Sequence, residues 1–219
     1  MKLWILPFIF LPLIGYADVP ADGRFTVARL HYSGGGDWYG NETSWVNLMN
    51  GLNQRTTLVC AKKEAVVTLK SNDIFFYPFV TLTGHGNVTF SDDEAQRLRQ
   101  YLIGGGFLWI DDDFGMDEFL RPALKRVFPE HDLVALPATH PIFHTVYEMK
   151  DGLPKIHEHH GGAPQAFGLF HQGRMVLFYS YNTDIGDGLE DPDVHQDPQA
   201  KREAAMKTGI NIVTYALTH

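Results

Sequence analysis

Apolar and polar positions first alternate clearly over residues 25–31 (Phe-Thr-Val-Ala-Arg-Leu-His), which predicts a β-strand with one buried face. A glycine-rich loop follows at 32–39. Over residues 44–52 the period lengthens, and Trp45, Leu48, Met49 and Leu52 fall on one side of a helix. Residues 57–60 and 65–69 are short runs of strand composition, and 74–82 reads as a further strand that Pro78 bends or weakens. Ser91 and Glu94 form a capping box ahead of a helix over 91–103, with Ala95, Leu98 and Leu102 as its stripe and Gly104 as a left-handed cap. Residues 107–110 (Phe-Leu-Trp-Ile) are apolar without alternation, as expected of a central parallel strand covered on both faces. Three aspartates, Asp111, Asp112 and Asp113, stand where that strand should end.

In the second half, residues 116–128 have helical character, but Pro122 predicts a turn first and a helix starting near that proline. Residues 133–136 suggest a strand. From 137 to 164 periodicity fades, and Pro141 requires an extended His140. Residues 166–170 and 175–181 flank a Gln172-Gly173 turn, predicting an antiparallel hairpin at the sheet's edge. Residues 182–197 read as a solvated acidic loop. Pro198 then takes the first position of a last helix packed through Met206, Ile210, Val213 and Leu217. Strands alternating with helices, plus a late hairpin, predict a doubly wound α/β domain with five or six mostly parallel strands.

The N-terminus changes the picture of where this domain works. Lys2, an apolar run over 3–14, and small residues at Gly15 and Ala17 predict a signal peptide cleaved after Ala17. The run is too short to span a bilayer. The expected organisation is a signal peptide at 1–17, an extension at 18–24 and one domain over 25–219. The mature chain is expected to be exported, periplasmic or secreted, without a membrane span. Eighteen basic residues, one of them Lys2, face 26 acidic ones, which argues against nucleic acid or an anionic membrane as partner. Cys60 is the only cysteine, so no intrachain disulfide forms, and it reads as a small core residue.

Tyr77-Pro78-Phe79, Thr83-Gly84-His85-Gly86, the run over 98–110 with its aspartates, and His140-Pro141-Ile142-Phe143 together resemble the bacterial domain of unknown function 4159. The resemblance covers 25–217. That family is similar to the class I glutamine amidotransferase-like fold, so the resemblance implies a flavodoxin-like three-layer sandwich and carries no established reaction. Amidotransferases place a nucleophilic Cys on a glycine-flanked strand-to-helix elbow. Here the corresponding turn is Gly84-His85-Gly86, and the only Cys is elsewhere. Glutamine hydrolysis, which needs a thiolate at that turn, is not expected.

Four loops, 32–39, 84–86, 111–113 and 182–187, should gather at the carboxyl edge of the sheet, where such folds bind ligands. Asp111 and Asp113 would share one face of an extended strand, with Asp112 on the other. With Asp184 they are candidate ligands for Mg²⁺, Ca²⁺, Mn²⁺ or Zn²⁺. Asp37, Gly84, His85, Gly86, Asp112, His140 and Asn182 are candidate ligand-binding positions, and His85 is the candidate general acid or base. The competing reading has one aspartate capping the next helix and the others solvated. His157, His159 and His160, with Glu158, have the spacing to chelate Zn²⁺ from an extended segment, and equally suit a polar loop. Residues 182–188 approach the EF-hand pattern without fitting it, and Gly34-Gly35-Gly36 lacks the rest of a P-loop. Two functions follow as expectations. One is a non-catalytic module binding a small polar ligand or an envelope protein. The alternative is a metal-assisted hydrolase of a small polar or carbohydrate substrate.

Overall fold

The computed structural model describes residues 23–159 and 161–219, so the expected signal segment and His160 lie outside the described residues. Among the described residues seven strands make one sheet: β1 (Ala28–His31), β2 (Ala65–Thr68), β3 (Phe79–His85), β4 (Phe107–Phe114), β5 (Val134–Ala135), β6 (Gln165–His171) and β7 (Arg174–Tyr181). Their order is β2-β1-β3-β4-β7-β6-β5. The first five in that order run parallel, and β6 and β5 are antiparallel additions.

Alternation along β4 assigns the two covering layers. Leu108 and Ile110 face a core shared with α2 (Asp92–Ile103) and α3 (Asp117–Val127), through Leu98, Leu102, Leu120 and Leu124. Phe107 and Trp109 face the other core, shared with α1 (Ser44–Arg55) and α6 (Gln199–Thr218), through Trp45, Leu48, Ile210 and Val213. This is an α/β three-layer sandwich around a mostly parallel sheet. No helix among the described residues is long and apolar enough to cross a membrane.

Several local expectations hold. Ser91 and Glu94 form a complete capping box, in which each side chain accepts the other's backbone N–H. The Gln172-Gly173 turn joins β6 to β7, both residues having positive φ. His140 is extended ahead of Pro141.

Others are corrected. The expected 25–31 strand shortens to β1, and Phe25 makes only an isolated bridge to Cys60, which is all that remains of a strand at 57–60. Residues 74–82 break at Pro78, where a 3-10 turn (Asp73–Phe76) gives way to β3. A proline cannot donate to the ladder, so it precedes the strand, and its carbonyl accepts from Phe107. Gly105, with φ +110°, takes the positive-φ position expected of Gly104. Pro122 lies inside α3, which begins five residues earlier. Pro122 and Glu118 are exposed, so water can serve the carbonyl freed by the missing N–H. The hairpin is not at the edge, because β7 is a buried apolar run paired with β4, and β5 forms the edge. Pro198 is the cap of α6 and not its first residue. The acidic segment is not a solvated loop. It forms α4 (Ile185–Leu189) and α5 (Pro192–His195), with Asp184, Asp187 and Glu190 buried at 1%, 8% and 6% exposure.

Candidate functional site

β4 continues as a strand through Asp111, Asp112 and Asp113 and reaches Phe114, so the aspartates belong to the sheet. Asp112 faces the α2–α3 layer, where it accepts from Met116 N–H at 3.0 Å and the Tyr179 hydroxyl at 3.1 Å. It thereby holds the chain just ahead of α3 without capping it, since the cap residue Met116 has no side-chain cap bond, and none of the three aspartates is solvated, so the competing reading fails on both counts. Asp111 faces the opposite layer and is fully buried. Its oxygens accept from the Ser180 hydroxyl and from Gly186 N–H, the latter at 2.6 Å. Gly186 has no room for a side chain, since a Cβ would meet the Asn41 amide at 1.9 Å. Asp113 Oδ1 accepts from the Thr83 hydroxyl at 2.9 Å and the Asn41 amide at 3.3 Å. Asp113 Oδ2 is buried and has no hydrogen-bond partner.

The register of β3 against β4 shifts between Gly84 and His85, where Asp113 of β4 is the extra residue of a β-bulge. Gly84 is required here: it has φ +131°, and a Cβ would meet the Tyr32 hydroxyl at 2.6 Å. The turn puts the His85 ring at the surface, with Nδ1 2.9 Å from Asp37 Oδ2, while Asp37 also accepts the His85 backbone N–H. Burial pushes the Asp37 carboxyl up, but those hydrogen bonds outweigh it and hold it below its ordinary value. His85 and Asp37 form an oriented dyad whose Nε2 has no hydrogen-bond partner among the described residues.

The second half of the site comes from two segments stitched together. Ile156 N–H donates to Thr183 O at 3.0 Å, and Asn182 donates to the carbonyls of Gly162 and Ala163. Lys155 donates to the carbonyl of Asn182 at 3.0 Å. Asn182 is thus occupied in fastening the histidine segment to the end of β7. Asp184 has left-handed backbone, φ 58° and ψ 57°, a conformation that aspartate tolerates better than most residues.

The result is a constellation of His157, His159, Asp184 and Asp187, whose candidate ligand atoms all lie within 4.8 Å of one another. His159 Nε2 is 2.6 Å from Asp184 Oδ2, and His157 Nδ1 is 2.8 Å from Asp187 Oδ2. The far nitrogen of His157 lies 2.9 Å from Asp197 Oδ2. That contact is a close approach and not a hydrogen bond, since Asp197 Oδ2 is buried without a hydrogen-bond partner. Asp184 Oδ1 is buried without a partner. His159 also joins this cluster to the dyad, with its ring centroid 6.0 Å from that of His85.

The electrostatics of the cluster follow from its burial. Burial, followed by repulsion from Asp113, Asp111 and Asp187, pushes the Asp184 carboxyl up to about 10. Burial likewise raises Asp111 to about 7 and Asp113 well above its ordinary value. Burial pulls the His159 imidazole down. These shifts disfavour charged carboxylates and a charged imidazole, and a cation among them would reverse the carboxylate shifts and coordinate the neutral ring.

The structure therefore brings together Asp37, Gly84, His85, Gly86, the three β4 aspartates, Asn182 and Asp184. It separates His140 from them. That ring accepts from Ile142 N–H and packs near Phe170 and Tyr215. Phe170 pairs with Met175 at the amino end of β7, the edge opposite the aspartates. Among the candidate metal ligands, Asp111 has both oxygens engaged by protein donors, whereas Asp113 and Asp184 each keep one free. The pairing of His157 and His159 with Asp184 and Asp187, and the presence of His195, were not read from the sequence. The signals available were the His-x-His spacing and the Asp-x-x-Asp spacing.

Among curated proteins, none matches the chain. A family model, described as Domain of unknown function (DUF4159), matches residues 26–217.

Proposed function

The chain belongs to the DUF4159 family, and from the site it carries we propose a divalent-metal centre serving hydrolysis of a small polar substrate. The carrying observation is the His157–His159–Asp184–Asp187 constellation with the orphaned Asp184 Oδ1 inside it. Two imidazoles with two carboxylates suit Zn²⁺ or Mn²⁺ better than Mg²⁺ or Ca²⁺, which favour all-oxygen sites. His157, His159, Asp184 and Asp187 would hold the ion, whose chemistry would be to make a bound water acidic, and His85, its ring held by Asp37, would serve as general base toward the attacking water. His85 would then return the water's proton to the leaving group. With a leader cleaved after Ala17, this chemistry would take place outside the cytoplasm.

The flavodoxin-like and amidotransferase-like kinship is part of the proposal. Its support is the order of the parallel strands: with β7 counted as fifth, they run 2-1-3-4-5. Asp37 and His85 then follow β1 and β3, the switch point where such sheets bind ligands. Cys60 stands beside Phe25, ahead of β1, with burial pushing its thiol up to about 11, which suits a core residue and not a nucleophile.

The test is metal content of the full chain purified without chelator. One or more equivalents of Zn²⁺ or Mn²⁺, lost in His159→Ala and Asp184→Asn, is the expected result. Metal-free protein whose melting temperature ignores added Zn²⁺, Mn²⁺, Mg²⁺ and Ca²⁺ would overturn the centre. A second reading, ligand binding without turnover, is favoured by the replacement of the elbow thiol with His85. It is distinguished by a metal-loaded chain that hydrolyses no ester, amide, phosphoester or glycoside in a chromogenic panel.

A further inference from the structure

Beyond the four-residue constellation, a second group of ligand type adjoins it. Asp187, Glu190 and His195 also bring their ligand atoms within 4.8 Å of one another. The two groups share Asp187, and they use different oxygens of it. Oδ2 lies 2.8 Å from His157 Nδ1, while Oδ1 lies 3.6 Å from His195 Nε2. His195 Nε2 is also 2.9 Å from Glu190 Oε2, and the His157 and His195 ring centroids are 4.9 Å apart. A carboxylate with one histidine on each oxygen is the geometry of a bridging ligand between two cations.

The surroundings favour that role over a plain ion-pair cluster. Asp187 and Glu190 are more than nine-tenths buried, yet the guanidinium beside them, Arg202, donates to the Glu190 backbone carbonyl at 2.9 Å. Glu190 Oε1 has Thr43 N–H at 3.5 Å, which leaves Oε2 directed to the His195 side. Asn47 spends its amide on Leu189 O and Asp191. Asp187 and Glu190 are one helical turn apart at the end of α4, and His195 closes α5, so the second group is built on a single short stretch. His157 and His195 are partly exposed, at 21% and 30% of their side chains, which gives an ion a way in.

We propose that Asp187 bridges two divalent cations, the first held with His157, His159 and Asp184 and the second with Glu190 and His195. This rests on the metal centre proposed above and deepens it. Two cations sharing a carboxylate can bind both the attacking water and the leaving oxygen. The substrate class then narrows to esters whose reacting centre carries a second oxygen, phosphoesters foremost.

Titration of the metal-free full chain with Zn²⁺, and separately with Mn²⁺, tests it. The wild type should bind two equivalents, and Glu190→Gln and His195→Ala should each bind one, with circular dichroism and melting temperature showing that both are folded. Electron paramagnetic resonance of the Mn²⁺ form should show an exchange-coupled pair, lost in both variants. One equivalent in wild type, unchanged in the variants, would overturn the second ion and leave the single centre standing. Two equivalents without coupling would overturn the bridge. No binding at all would overturn the centre itself.

Discussion

The two acidic regions of this site, 111–113 and 182–197, have similar composition and opposite circumstances. On β4, five of the six carboxylate oxygens have protein donors, and the side chains work as struts between strands, α3 and the Gly186 turn. After β7, the carboxylates face histidines and one another, and Asp184 keeps a buried oxygen with no partner. Carboxylate density alone therefore does not make a candidate metal site. What distinguishes the second region is histidines opposite acids whose hydrogen bonds are incomplete.

The largest expected effect breaks the first region. Asp111→Ala orphans the buried Gly186 N–H, leaves Ser180 Oγ–H with only the Ile110 carbonyl and opens a void, and should lower the free energy of unfolding by about 3 kcal/mol in urea titrations. Asp184→Asn should change it by less than about 1 kcal/mol in metal-free buffer, because one oxygen there has no partner to lose. Equal losses in the two variants would erase the distinction.

Next, Zn²⁺ at a hundred times its dissociation constant should stabilise the wild type by roughly 2.7 kcal/mol. Asp184→Asn should abolish that gain, whereas a conservative change remote from the ligands should keep it.

The pH dependence sharpens the contrast further. Asp111 is raised to about 7, so its contribution to stability is present below the unfolded carboxyl value of about 3.9. It is lost as pH rises through 7, because the folded chain holds the proton that the unfolded chain has released. Unfolding in urea with chelator present, from pH 4.5 to 8, should show stability falling, and Asp111→Asn should flatten the fall.

The smallest effect is the reference. Ser91→Ala removes half of a capping box on α2, away from both regions, and should cost about 1 kcal/mol with metal binding unaltered.

Local signals made much of the fold legible. The 107–110 run, the Ser91–Glu94 box and the Gln172-Gly173 turn each specify their element through neighbours a few residues away. Where a proline intervened, at Pro78 and Pro122, the reading depended on which carbonyl or N–H the fold would leave exposed, and that is settled by packing. The opposite faces of Asp111 and Asp112 could be read on condition that the strand continued, and β4 does continue, but the continuation itself had no signal because hydropathy falls to its minimum where burial does not. The dyad of Asp37 and His85 follows from loops placed at neighbouring strand ends, so its members were nameable but not their bond. His157 and His159 meet Asp184 and Asp187 only because β6 and β7 carry the chain out and back between them. His140 shows the converse: a residue with promising neighbours in sequence can lie at the wrong end of the sheet.

The parallel pairing of β7 with β4 has a consequence in time. Until the β6–β7 hairpin docks, Ser180 and Gly186 are strangers to Asp111, and the candidate ligand segments at 157–159 and 184–195 have no common wall. If the proposed site holds a cation, that cation would meet its ligands only after the hairpin has docked. Added Zn²⁺ should lower the unfolding limb of a chevron plot and leave the refolding limb where it was. The ion would act as a latch on a finished molecule, lengthening its lifetime without hastening its birth.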